Sequence, residues 1–158
     1  MHASISTASR PVDRWFAAYA ADHQHPHNQQ LHVVCVPAIV WSLLAMLHAI
    51  PTPTYGAVAV IVSAPALLFW VWLSRPLGLG VALLTVLALW GNALIVESAG
   101  AHVLLVSGIV VFIVAWIGQF IGHHLEGRRP SFFTDLVYLL IGPPWVLAKA
   151  YRGVGLRW

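Results

Sequence analysis

Charge is what this sequence has least of. Asp, Glu, Lys and Arg make up 8% of its 158 residues, against about 25% in soluble domains. A bundle of helices cannot give each member a solvated face on so few charges, which excludes an ordinary soluble domain. Thiols are equally scarce. Cys35 is the single cysteine, so neither a disulfide framework nor a thiolate metal site is available. Its place inside an apolar run reads as a small buried side chain. Basic runs interleaved with aromatics are missing despite a net charge of +3, and no nucleic-acid partner is expected. A Gly-rich phosphate loop, a Ser/His/Asp set and a Cys nucleophile motif are also absent. Residues 1–30 hold no apolar h-region, so membrane insertion is expected to rest on the first long apolar run.

What the sequence has in abundance is hydrocarbon and histidine. Hydrophobic residues reach 59% and there are nine histidines. The expected fold class is all-α, an integral membrane helical bundle in one domain over 1–158. Residues 11–22 read as a short interfacial helix, with Pro11 in its first turn. Trp15, Phe16 and Tyr19 would form its aromatic edge at the headgroup level. Apolar runs at 31–50, 56–74, 77–96 and 101–122 are four candidate transmembrane helices, each near the ~20 residues that a ~30 Å hydrocarbon core requires. Pro65 should kink the second of them. A fifth apolar stretch, 132–149, contains Gly142-Pro143-Pro144 at its middle.

The basic residues set an orientation. They are Arg10, Arg14, Arg75, Arg128, Arg129, Lys149, Arg152 and Arg157. Four crossings from an inside N-terminus place all of them on one side, and the two opposite loops carry none, as the positive-inside rule asks. Basic residues flank 132–149 at both ends, so a full crossing would strand one pair outside. That segment is expected to be a re-entrant or interfacial C-terminal hairpin broken at its prolines. The protein is expected at the inner membrane of a bacterium or the endoplasmic reticulum of a eukaryote, with its N-terminus cytoplasmic. The sequence leaves a homo-oligomer open.

Two polar knots interrupt the hydrocarbon, and this topology puts both on the cytoplasmic side. His23-Gln24-His25-Pro26-His27-Asn28-Gln29-Gln30-Leu31-His32 precedes the first span. Gln119-Phe120-Ile121-Gly122-His123-His124-Leu125-Glu126 ends the fourth. Gln119, His123 and Glu126 are spaced four and three apart, so they share one helix face, with Trp116 below. A histidine with a carboxylate three residues on is the pattern of metal sites built inside helical bundles. His23 and His27, or Asn28 and His32, could pair at i+4 unless Pro26 starts a helix between them. His23, His32 and His123 together read as a metal site, since ionisable groups at membrane depth mark function. Imidazole and carboxylate without thiolate suit non-haem iron or zinc. His25, His27 and His124 read instead as solvated side chains, and His48 and His102 fall on the opposite side.

The spacing Tyr19-x3-His23-x4-Asn28-x3-His32-x4-Pro37, with Trp116-x2-Gln119-Phe120-Ile121-Gly122-His123-x2-Glu126-x3-Pro130 and Gly142-Pro143 downstream, resembles the 2-hydroxy fatty acid dioxygenase family of small membrane proteins. The resemblance covers about residues 12–150. It implies an Fe(II)-dependent enzyme that converts a 2-hydroxy fatty acid and O2 to the fatty acid one carbon shorter. By that resemblance His23, His32 and His123 match the family's histidines, and Asn28, Gln119 and Glu126 match its polar companions.

The expected mechanism follows. His23, His32 and His123 hold one Fe(II), with Glu126 a further ligand or a support, and zinc the alternative metal. The substrate's hydroxyl and carboxylate would chelate it, beside Asn28 and Gln119, with Arg128 or Arg129 facing the carboxylate and the tail among the spans. Two other classes compete with this reading. One is a lipid- or haem-binding membrane protein without catalysis, and the other is a zinc-dependent membrane hydrolase. A proton carrier is disfavoured, because Ser63 and Asn92 are the most polar groups at mid-span.

Overall fold

A computed structural model describes residues 10–127 and 132–158, with side chains after the gap described from Tyr138 onward. Arg128, Arg129 and Pro130 lie outside the described residues. Six helices and no strand occur among the described residues: α1 (Pro11–Asp22), α2 (Pro26–His48), α3 (Ala57–Leu73), α4 (Arg75–Ala99), α5 (Ala101–Leu125) and α6 (Phe132–Gly153).

α2, α4 and α5 are each long and apolar enough to cross a membrane. α3 is apolar but has 17 residues, about 25 Å at 1.5 Å per residue, the short end of the spanning range. The four expected spans therefore resolve into three helices of full length and one shorter. Joints are minimal. Ser74 alone separates α3 from α4, and Gly100 alone separates α4 from α5, at φ 89°, where a side chain would be strained. The outward faces are hydrocarbon: Ile61, Leu68, Trp72, Leu79, Trp90 and Val114 are all more than 60% exposed. Apolar surface on that scale is the signature of a lipid-facing wall.

The tightest helix pair is α2 against α5, and small residues make it so. A Cβ on Gly118 would meet Cys35 Sγ at 2.6 Å, and one on Gly122 would run into Asn28 Oδ1. Ala115, Cys35 and Ile39 are buried together in the same seam. In hydrocarbon, where burial of apolar surface drives nothing, such close backbone approach is the main source of helix association.

Two expectations about the ends of the chain are corrected. α1 has the expected bounds, but two of its three aromatics face the protein interior rather than outward. Val12, Phe16 and Tyr19 are buried in a core with Leu73, Leu77, Ile141, Trp145 and Ala148, leaving Trp15 outward. The C-terminal segment supplies the core that the sequence did not reveal. α6 is a continuous helix through Pro143 and Pro144 rather than a hairpin. Pro144 has no N–H for the carbonyl of Leu140, and a bare carbonyl ordinarily breaks the run. Here the Trp70 indole N–H donates to that oxygen at 2.6 Å, so α3 satisfies what α6 cannot. α3 itself runs unbroken through Pro65. Gly142 contributes separately, since a Cβ there would press on Val36 at 3.0 Å.

Candidate metal centre

Pro26 settles the local structure of the first polar knot. It stands at the first turn of α2, so α1 ends at Asp22, His23 follows as its non-helical C-cap, and His25 is extended before α2 begins. His23 and His27 consequently do not pair on one helix. Instead the α1–α2 junction folds His23 back against His32, nearly two turns into α2. His123 arrives from the last turn of α5.

The three imidazoles form one group, each offering a ring nitrogen within 4.8 Å of the others. His23 and His32 are 1% and 3% exposed, and His123 closes the group from a partly exposed position. His23 Nδ1 lies 2.7 Å from the Tyr19 carbonyl, and His32 Nδ1 lies 2.9 Å from that of Asn28. Carbonyls only accept, so each Nδ1 carries the proton and each Nε2 is left with a bare lone pair. Those two Nε2 atoms face each other at 3.0 Å. Two acceptors cannot satisfy one another; a cation between them can. Two ligands on one ion at about 2.1 Å and near a right angle stand about 3 Å apart, so the spacing fits a shared metal. A backbone carbonyl behind each ligating imidazole is also how metal sites fix the tautomer.

Burial pushes the pKa of His23 down, outweighing the support of the Tyr19 carbonyl, and the nearby His123 lowers it further. The ring is therefore neutral at pH 7, the state a ligand needs. Tyr19 stacks on it with centroids 4.1 Å apart and planes 8° from parallel. Gln29 donates to the His23 carbonyl at 2.6 Å and accepts from Lys149 at 2.7 Å, tying the junction to α6.

Glu126 caps rather than joins the histidine group. Its carboxylate accepts from the backbone N–H of Gln24 and of His25 and from Asn28 Nδ2, all at 2.9 Å. Desolvation works to raise its pKa, but these donors outweigh it and hold the carboxyl below its ordinary value. An anion at the α2 N-terminus is also favoured by the helix dipole. Of the two roles expected for Glu126, these hydrogen bonds describe support: the carboxylate fastens the junction that presents His23. Asn28 is fully buried behind the histidines and serves the same clamp.

A cavity of about 30 Å³ adjoins the imidazoles, room for one or two small molecules the size of water. Gln119 and Trp116 line it from α5, Val36 and Ile39 from α2, and Tyr138 and Leu139 from α6. Gln119 Oε1 and Trp116 Nε1 are buried beside it without a hydrogen-bond partner, an acceptor and a donor for whatever enters. Arg128 and Arg129 fall outside the described residues, so their expected place by a carboxylate has no structural account. His27 and His124 are exposed, and His25 caps α2 through its backbone.

Tyr138, Leu139, Gln29 and Lys149 had no place in the sequence reading of the site. Tyr138 donates to Asp22 and packs edge-on to Tyr19 and His23. Nothing local marks Tyr138, Leu139 and Lys149, because α6 reaches the site only through tertiary packing, and Gln29 stands in the first polar knot without a ligand's chemistry.

Fold and site together define an all-helical protein with spans for a membrane and a cluster of three histidines able to hold a metal at one end. Comparison with known proteins supplies the family. The family profile described as 2-hydroxy-palmitic acid dioxygenase Mpo1-like matches residues 9–154, and the chain belongs to that Mpo1-like family. It is 29% identical over 130 residues to the 2-hydroxy-palmitic acid dioxygenase MPO1 of Saccharomyces cerevisiae, covering 82% of this chain and 72% of that protein. No solved structure matches.

Proposed function

We propose that this protein is a membrane dioxygenase that shortens a 2-hydroxy fatty acid by one carbon, with Fe(II) held by His23, His32 and His123. The observation that carries the metal is the pair of bare Nε2 lone pairs 3.0 Å apart, each ring backed by a carbonyl. The substrate class rests on the family and on the name of the yeast relative. Iron bound there would supply the one-electron chemistry by which O2 reacts with a closed-shell substrate. One O2 per 2-hydroxy acid balances as the shortened acid, carbon dioxide and water, so no external reductant is needed.

The chain's own residues bind and orient. The imidazoles would hold the metal beside the cavity, and Gln119 and Trp116 offer an acceptor and a donor to the substrate's polar head. Val36, Ile39 and Leu139 exclude water around it. Glu126 and Asn28 hold the α1–α2 junction so that His23 meets His32. In the membrane, α2 to α5 cross four times with the histidines on the cytoplasmic side, following the basic residues.

Purified protein loaded with iron should consume O2 with 2-hydroxypalmitic acid and release the shorter acid, and zinc-loaded protein should not. Activity with zinc and without O2 would replace this reading by hydrolysis.

A further inference from the structure

Beyond the histidine cavity lies a larger apolar chamber of about 450 Å³ between α2, α3 and α6. Val40, Leu44 and Met46 line it from α2, Val62 and Ala66 from α3, and Leu139 from α6. Leu139 also lines the histidine cavity, so one side chain is the wall between the two spaces. Val62 is 53% exposed, and the chamber opens there toward lipid. A second apolar cavity of about 350 Å³, between α2, α4 and α6, shares no residue with the histidine cavity.

We infer that the α2–α3–α6 chamber is the site of the substrate's acyl tail, with Leu139 as the threshold and Ala66 on its α3 wall helping to set the accepted chain length. The inference rests on the proposed 2-hydroxy acid chemistry and adds where the tail goes. Length supports it. The interval from His32 to Leu47 on α2 spans about 22 Å at 1.5 Å per residue. An extended chain advances about 1.2 Å per bond, a third of an extended residue. The path from imidazoles to chamber end thus accommodates about 18 bonds, a long-chain acid. The Trp70–Leu140 hydrogen bond pins α3 to α6 and keeps the chamber from collapsing.

The test uses full-length protein in lipid nanodiscs and 2-hydroxypalmitic acid carrying a terminal diazirine. Photolysis should label residues within 43–47 or 62–66, and unlabelled 2-hydroxypalmitic acid should compete the label away. Labelling within 81–88 or 146–150 would move the tail to the second cavity and overturn the inference. Labelling that the unlabelled acid fails to displace would mean that a bilayer lipid fills the chamber, and would overturn it equally. As a second arm, Ala66→Phe should lower the ratio of kcat/KM for 2-hydroxypalmitic over 2-hydroxyoctanoic acid at least tenfold, at about fourfold per displaced methylene. Ala88→Phe, in the second cavity, should leave that ratio as it is. An unchanged ratio in Ala66→Phe sinks the proposal. Cross-linking needs no turnover, so protein that labels as expected yet consumes no O2 with any 2-hydroxy acid would fail the functional reading alone.

Discussion

The two ends of α2 carry the same kinds of side chain and do different things with them. At the N-terminal end His23, His32 and Asn28 are buried, and carbonyls or a carboxylate fix their ring nitrogens or amide. At the other end His48 is 4% exposed with Nδ1 unpartnered, and on α4 Asn92 is wholly buried with neither amide atom bonded. Gly56 presses close on the His48 ring, and no second imidazole joins it among the described residues. Burial of histidine is therefore not what makes a site. Orientation by a backing acceptor, and convergence of several rings, are what separate the two ends.

That contrast can be broken experimentally, and the largest effect should come from the imidazoles. His32→Ala or His23→Ala should lower metal affinity at least a hundredfold, read by metal titration of the detergent-purified protein. His48→Leu should leave metal content untouched, and it removes an unpaired polar group, so it should cost less than about 1 kcal/mol or stabilise. Equal metal loss in His48→Leu would erase the distinction.

Glu126→Ala comes next. It frees the donors of Gln24, His25 and Asn28, so metal affinity should fall toward the lower end of the ~10–100-fold range seen for groups that orient ligands. Glu126→Gln should recover part of it, because an amide oxygen still accepts. Loss in Glu126→Ala as deep as in His32→Ala would instead make Glu126 a ligand.

Gly122→Ala should lower thermal stability by about 1–3 kcal/mol through overpacking on Asn28, measured by thermal unfolding in detergent. Gly91→Ala has open space around it and should gain helix propensity instead. The smallest effect lies at the exposed Arg10–Asp13 pair, 2.9 Å apart. The hydrogen bond from Arg10 holds the Asp13 carboxyl below its ordinary value. Its contribution is present above the unfolded pKa near 4 and is lost as pH falls through the folded value. Asp13→Asn should remove that dependence at a cost below about 1 kcal/mol.

Much of the frame was legible in the sequence because the signals are local. Apolar runs and Pro11 at a helix start placed the helices to within about five residues. The convergence of His23, His32 and His123 could be anticipated from topology, since both polar knots fall on one side. What stayed hidden depends on partners far along the chain. Phe16 and Tyr19 look interfacial until α6 supplies a core, and α6 looks broken at Pro144 until Trp70 reaches the Leu140 carbonyl. Glu126 shares a helix face with His123, which suggested ligation. Its actual hydrogen bonds run to backbone donors a hundred residues away, and no spacing rule reports those.

The central claim is that His23, His32 and His123 share one ion. X-ray absorption at the iron edge of the Fe(II)-loaded protein addresses it most directly. The account predicts three imidazole nitrogens at about 2.1 Å in the native protein, and two in His123→Ala when that variant is forced to load. A spectrum without imidazole scattering, or one unchanged by His123→Ala, would contradict it.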